Sequence, residues 1–461
     1  MLIQQKGQAM VLSLILMSFA IMVVLFSFNS AQLNLKSTKL QNTADNTAYS
    51  VATIAARDFN YKAYTNRAAV ANQVAIAQLV GLSSWFNMTE QFSETACDYF
   101  CSVPYIGQAI AAVDKVIKAV NTGVQPFIKF MVNTEDIILN VLSQSQQIIH
   151  YAGLVSTMST ASDIVKANDP KAQLDLMQNP QMLGDIKDLW VGFQERHARN
   201  NQSNRTQYND FINVTLDSRD SFSRKRTYEL NGLWTKNLLF VKWNTQKAGG
   251  SDLISNGKNK AETWTAMDTI ATHMRTRGCG LFGRKWCRPT EMPLGWASTR
   301  SNRQTSISKS GDNKSWGYSR DRNRTSSGYA EEDEETNGGY SGIQPFFGLS
   351  NSAKERDQTS NIAIVVSKPQ KDVGTTSSVK AGEQNTNPAL NEKMLGKRLN
   401  ALSTAQVYYS RPRDLMLTSS SWSRSDNRHE YGNLYNPFWQ TRLTDSTSTE
   451  RSVVLALTRA L

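Results

Sequence analysis

The run AMVLSLILMSFAIMVVLFSF, residues 9–28, passes twenty positions without a charge. At about 1.5 Å of rise per residue a helix of this length spans about 30 Å, the thickness of a bilayer's hydrocarbon core. Its polar side chains are Ser13, Ser18 and Ser27, and a helical serine can return its hydroxyl to a carbonyl one turn back. A cleaved secretory signal is the competing reading. Such signals carry shorter apolar stretches, of about 7–15 residues, and the best small-x-small site downstream, Asn29-Ser30-Ala31, has a poorly suited residue three before the cut. The run is therefore expected to be an uncleaved transmembrane anchor over 9–28, with residues 1–8 left on the cytoplasmic side.

Flanking charge does not orient this helix. Lys6 and the free amino group stand on one side, Lys36 and Lys39 on the other, so the positive-inside count is nearly a tie. The cysteines are more informative. Cys97 and Cys101 lie in CDYFC, and Cys279 and Cys287 in CGLFGRKWC. Two close pairs fit two local disulfides formed in an oxidising compartment. A shared zinc site is the alternative, but such sites favour C-x2-C spacing, and the intervals here are longer. Gly280 and Gly283 would let the second loop bend back on itself. Bridges this short pin local turns more than they hold a domain together. Most of the chain is thus expected outside the cytoplasm.

Outward from the anchor the pattern stays helical. Leu40, Ala44, Ala48, Val51, Ala55 and Phe59 recur at intervals of three and four, giving an apolar stripe with small residues in its centre. Residues 107–165 repeat the pattern, with one stripe through Ile110, Val113, Ile117, Val120 and Val124 and another from Ile138 to Val155. Pro126 is expected to break or kink the helix between them. Asp114, Lys115, Lys118, Glu135 and Asp136 exclude both stretches as membrane spans. A more polar helix is predicted over 182–199.

The character changes near Asn200. Phe211–Leu216, Arg226–Leu230 and Leu238–Trp243 are predicted strands, and Gly249-Gly250 marks a turn. Residues 300–340 are rich in Ser, Arg, Asn and Gly and end in Glu331–Glu335, the composition of a long polar loop. Structure resumes at Ile343–Phe347, and Ile362–Val366 reads as a buried strand. A weak loop over 370–392, a strand at Ala405–Tyr409 and a last helix over 448–461 complete the reading. The expected class is α+β: an N-terminal transmembrane helix continuing into a helical stalk or bundle over 29–199, then an irregular β-rich domain over 200–461 with the polar loop 300–340.

Composition permits a folded protein of 461 residues, with 40% hydrophobic and 20% charged positions. The net charge of +12 suits an anionic partner such as nucleic acid, lipid headgroups or cell-wall polymer. Residues 196–330 hold 24 Lys and Arg against 10 Asp and Glu, more than the whole excess. A solvated basic face is the simplest account of it. No aromatic-basic RNA-binding pattern or zinc-finger spacing accompanies the charge, which argues against nucleic acid.

No phosphate-binding glycine loop, GxSxG elbow or HExxH helix occurs. His150, His197, His273 and His429 are far apart, and His150 sits at a core or rim position of a helix. A metal-dependent adhesion site needs D-x-S-x-S after a strand. Asp220-Ser221-Phe222-Ser223 has the wrong spacing, and Asp445-x-Thr447-x-Thr449 lacks the serines. No catalytic residue, metal ligand, cofactor or small-molecule substrate is expected.

Gly7-Gln8-Ala9, the apolar span, and Leu40-Gln41-Asn42-Thr43-Ala44-Asp45-Asn46-Thr47-Ala48 occur here together. In that combination the first sixty residues resemble the TadE/TadG-like proteins of the tight-adherence (Flp) pilus system. Ala63–Ala75 and Asn433–Leu443 resemble segments of longer members. The resemblance implies a single-pass protein of the bacterial inner membrane with a periplasmic C-terminal domain, serving as a structural or assembly component beside other pilus-assembly proteins. One departure bears on its role. Pilins of this system carry glutamate at the fifth mature position; a cut at Gly7 would place Leu12 there, and no glutamate precedes Glu90. An assembly factor is therefore expected before a pilin. The missing adhesion-site serines argue against a functional von Willebrand A domain. The alternative is a membrane-anchored binding or adhesion module for an anionic polymer, working through residues 196–330.

Overall fold

No proline stands between Lys6 and Phe100, and α1 (Lys6–Phe100) runs unbroken for 95 residues. The computed structural model describes residues 6–174, 180–200, 205–254, 261–279, 285–304, 321–369, 372–373, 398–411 and 429–452. A short turn leads into α2 (Gly107–Asn168), followed by α3 (Pro180–Lys187), one π turn at Asp188–Gly192, β1 (Gln194–His197), α4 (Arg205–Asp217) and α5 (Ser221–Arg224). Then come β2 (Tyr228–Glu229), β3 (Thr235–Asn237), β4 (Val241–Ile254), β5 (Thr263–Cys279), β6 (Lys285–Trp286) and β7 (Thr290–Arg300). The chain closes with α6 (Arg324–Glu332), β8 (Glu334–Thr336), β9 (Phe346–Leu349), β10 (Ile362–Pro369), β11 (Arg398–Tyr409) and β12 (Trp439–Thr444). The class is α+β, with a long apolar N-terminal helix and a β-rich C-terminal region.

Packing divides the chain into two units, and neither is one stretch of sequence. The first comprises Met1–Tyr64, Gln147–Glu195 and Gly348–Leu461, the second Thr65–Gln146 and Arg196–Phe347. Each unit thus holds its own length of α1, its own length of α2 and its own sheet.

In the first unit β10, β11 and β12 form an antiparallel sheet in that order. The predicted α1 stripe is its core: Leu40, Ala44, Ala48, Val51, Ala55 and Phe59 are all buried. Alanine at the centre of the stripe leaves room for close neighbours. Gln41 Nε2 donates to Leu402 O at 3.0 Å. Asn60 both donates to Trp439 O (2.9 Å) and accepts from Trp439 N (3.0 Å), as a strand neighbour would. Phe59 stacks on Phe193 at 5.6 Å and meets Trp439 edge-on at 5.1 Å.

In the second unit seven strands form one sheet, ordered β2-β4-β5-β7-β8, with β3 also on β4 and β6 also on β5. β4 and β5 are its long antiparallel centre. Trp264 on β5 is fully buried, and its Nε1 donates to Gln73 on α1 at 2.9 Å. Met88, Ile270 and Ala297 make an apolar cluster flanked by Trp85 and Phe92.

The face of α2 that packs inward in this unit is rich in polar groups, contrary to ordinary amphipathic patterning. Asp114 takes a hydrogen bond from Ser93 Oγ, and Asn121 donates to Asn87 at 2.9 Å. Ser83 donates to Gln125 at 2.6 Å, and Gln146 donates to Asn66 at 2.7 Å. The opposite face carries Val113, Val116, Val120, Phe127, Phe130, Ile137 and Val141, all exposed.

Several expectations are corrected. Pro126 does not break α2, which is continuous from Gly107 to Asn168; Pro126 and Thr122, whose carbonyl loses its partner, are both on the solvent side, where water can replace the bond. Phe211–Leu216 is helical, part of α4, and Phe211 stacks on Phe346 at 4.4 Å. The polar helix predicted over 182–199 ends at Lys187, and the chain passes through the π turn into β1. Gly249-Gly250 lies inside β4; a Cβ on Gly249 would stand 2.2 Å from Asp268 Oδ1, so the glycine makes room for a buried carboxylate. Of Leu238–Trp243, only Val241 onward is strand. Within 300–340 the described residues include α6 and β8. Residues 305–320 and most of 370–392 lie outside the described residues, as does the last helix beyond Ser452.

Candidate functional site

Polar side chains gather into three clusters among the described residues. In the first unit, Asp58 and Lys62 are one turn apart on α1, and both are buried. Lys62 Nζ donates to Asp58 Oδ2 at 2.6 Å and to Gln194 Oε1 at 2.5 Å, and it lies 2.8 Å from His150 Nδ1. Gln194 returns a bond to Asp58 Oδ2 at 3.0 Å. Burial pulls the Lys62 ammonium down to about 8, against the opposing pull of Asp58. Burial also pushes the Asp58 carboxyl up, but the His150 hydrogen bond and the Lys62 charge outweigh it and hold the group below its ordinary value.

In the second unit, Asp268 is fully buried between two cations. Arg226 grips it in bidentate fashion, Nε on Oδ1 at 2.9 Å and Nη2 on Oδ2 at 2.8 Å, and Lys247 Nζ donates to Oδ1 as well. Burial drives Lys247 down to about 8. Burial raises the Asp268 carboxyl too, yet Arg226 first and Lys247 second bring it below normal. Gly81 lets Arg226 in, because a Cβ there would stand 2.7 Å from its Nη1. Close by in sequence, Glu262 accepts from Arg199 (2.9 Å), Tyr208 (2.8 Å) and the backbone N of Ile343 (3.0 Å). Burial and the adjacent carboxylate push the Tyr208 hydroxyl upward.

The Asp58–Lys62 and Asp268 clusters have the composition of catalytic constellations and none of the access. Lys62 is 0% and Asp58 2% exposed, and Asp268 is 0%. A cavity of about 20 Å³ among Asn66, Gln73, Ser143, Gln146 and Phe346 has room for about one water and no substrate. Among the described residues no group of three or more His, Cys, Asp or Glu could hold a metal ion. The clusters therefore fix helices and strands in place.

Cys97 is joined to Cys101 and Cys279 to Cys287, with S–S distances of 2.00 and 2.03 Å. The first bridge closes the end of α1, and the second ties β5 to β6. The histidines are not brought together: His150 lies in the Lys62 cluster, His197 packs on Phe346, His273 faces Asn323 and His429 faces Asp357. The acidic block is tied in, among other contacts, through Asp333 with Trp296, Glu334 with Arg300 and Glu335 with Asn87. Sequence reading passed over Asp58 and Lys62, although an Asp and a Lys four apart inside an alanine-rich apolar stripe were the available signal.

The start of α1 is exposed and apolar. From Met10 to Phe28 the large side chains of α1 are 46–70% exposed, and the stretch is long and apolar enough to cross a bilayer. No known protein family matches the chain, and no curated protein or solved structure is similar to it.

Proposed function

We propose that this chain is a single-pass, inner-membrane-anchored structural component of a tight-adherence-type pilus or related secretion apparatus, with its folded units in the periplasm. The exposed seam of α2 carries the reading. Val113, Val116, Val120, Phe127, Phe130, Ile137 and Val141 recur at three- and four-residue steps, with Gly123 and Thr134 filling the two gaps. That is a heptad stripe, the pattern by which one helix packs along another. It runs for about 42 Å and carries no charge, while polar groups turn inward. Such a face suits a protein that works by holding other helices. The uncharged start of α1 and the Gly7-Gln8-Ala9 and Leu40–Ala48 resemblance supply the membrane and the kind of machine, and the two disulfides suit an oxidising compartment.

Deletion in the source bacterium is expected to abolish surface pili and adhesion, and F130D with I137D in the chromosomal copy is expected to do the same while the protein still accumulates. A photo-crosslinking residue at Phe130 should capture another helical subunit of the apparatus. Normal piliation in the deletion strain would sink the reading.

A further inference from the structure

Leu238, Leu239 and Phe240 form the turn between β3 and β4, and they are 55%, 70% and 64% exposed. The turn is built, with Leu238 N donating to Val241 O at 2.9 Å and Arg277 N to Phe240 O at 2.8 Å. Register places its neighbours: Lys242 beside Arg275, Arg277 beside Trp286, and Cys279 beside Lys285. The Cys279–Cys287 bridge fastens this end of the sheet. Single exposed apolar residues need no account, but three in succession at the apex of a sheet do.

On the strand ends that carry the apex the charged residues are of one sign among the described residues. Lys236, Arg275, Arg277, Lys285 and Arg288 are exposed, and Lys242 Nζ lies 4.5 Å over the Trp286 ring. Residues 230–251 and 269–290 contain no carboxylate. Part of the basic excess of 196–330 is therefore gathered behind an apolar point, with Trp286 in the same collar. Apolar tip, cationic collar and indole follow the order in which an anionic bilayer presents acyl chains, phosphates and interface. A nucleic acid or sugar polymer would match the collar and leave the tip without a partner.

We infer that the β3–β4 turn docks on the surface of an anionic phospholipid bilayer, with Leu238, Leu239 and Phe240 entering the acyl boundary and the collar on the phosphates. The turn's internal hydrogen bonds suit shallow insertion, because lipid satisfies no backbone group. This inference does not rest on the function proposed above.

The test uses the full chain in phosphatidylcholine nanodiscs, mixed with dye-labelled vesicles of phosphatidylcholine with or without phosphatidylglycerol. Capture by flotation is expected to be at least about tenfold greater with phosphatidylglycerol and to fall with added salt. R275Q with R277Q should lose about 25-fold, roughly fivefold per cation. L239D with F240D, which keeps every cation, should lose more than about tenfold. Both pairs are exposed, so thermal unfolding should match that of the parent. No capture by the parent, or equal capture of neutral vesicles, overturns the inference and assigns the tip to an acidic protein surface. Undiminished capture by either variant, with unfolding unchanged, overturns it as well.

Discussion

Lys62 Nζ stands 2.6 Å from Asp58 Oδ2 inside α1, with neither side chain more than 2% exposed. A buried pair of this kind is costly to break from one side, because the charge left behind has no solvent. K62M is expected to lose about 3–5 kcal/mol of stability, and K62M with D58N clearly less. Thermal unfolding followed by circular dichroism on the parent and both variants checks this. Equal losses would contradict it.

Opposite kinds of group should govern stability at the two flanks of neutral pH, carboxylates in acid and lysines in alkali. Asp58, Asp169, Asp268 and Glu430 are held below their ordinary values, so the stability they give is present above the unfolded range near 4 and is lost as pH falls through the folded values. Lys62 and Lys247 sit near 8 in the fold and at 10.5 unfolded. Between those limits the unfolded chain holds more protons, so these lysines cost stability in full below about 8 and the cost is relieved as pH rises from 8 toward 10.5. Urea midpoints measured from pH 3 to 10 would show the acid loss, and K247M should flatten the alkaline limb.

Gly153 faces the Trp190 indole, and a Cβ there would lie 2.4 Å from its Cη2. Trp190 is 0% exposed and cannot swing into solvent. G153A should therefore destabilise the first unit by about 1–3 kcal/mol, despite alanine's better helix propensity. W190F in the same chain should recover part of the loss.

Replacing Cys279 and Cys287 with serine opens a loop of only eight residues' separation. Chain entropy alone puts the cost at about 2–3 kcal/mol. The expected signature is faster amide exchange at β6 and the end of β5, with Asp268 and its neighbours still protected. Global unfolding of the variant would refute the local role.

The helical part of this fold was legible because its signals are periodic and local: the uncharged run, the alanine stripe and the absence of proline over α1 all concern neighbours in sequence. The β-rich half was less so. Gly249 reads as a turn unless one knows that Asp268 occupies the space its missing side chain leaves. Leu238–Phe240 reads as strand because an apolar triplet is normally covered. Pro126 failed as a breaker because its side of α2 faces solvent. In each case the deciding neighbour is remote in sequence, so no window of the sequence contains it.

The interleaving of the two units sets an order of assembly. Every residue of the second unit has been made once position 347 is past, whereas the first draws on both the opening helix and strands as late as β12. During vectorial synthesis the inner segments can thus reach their final packing while the Ala44–Phe59 stripe still waits for its sheet. Until then that stripe is an uncovered apolar surface following directly on the apolar start of α1.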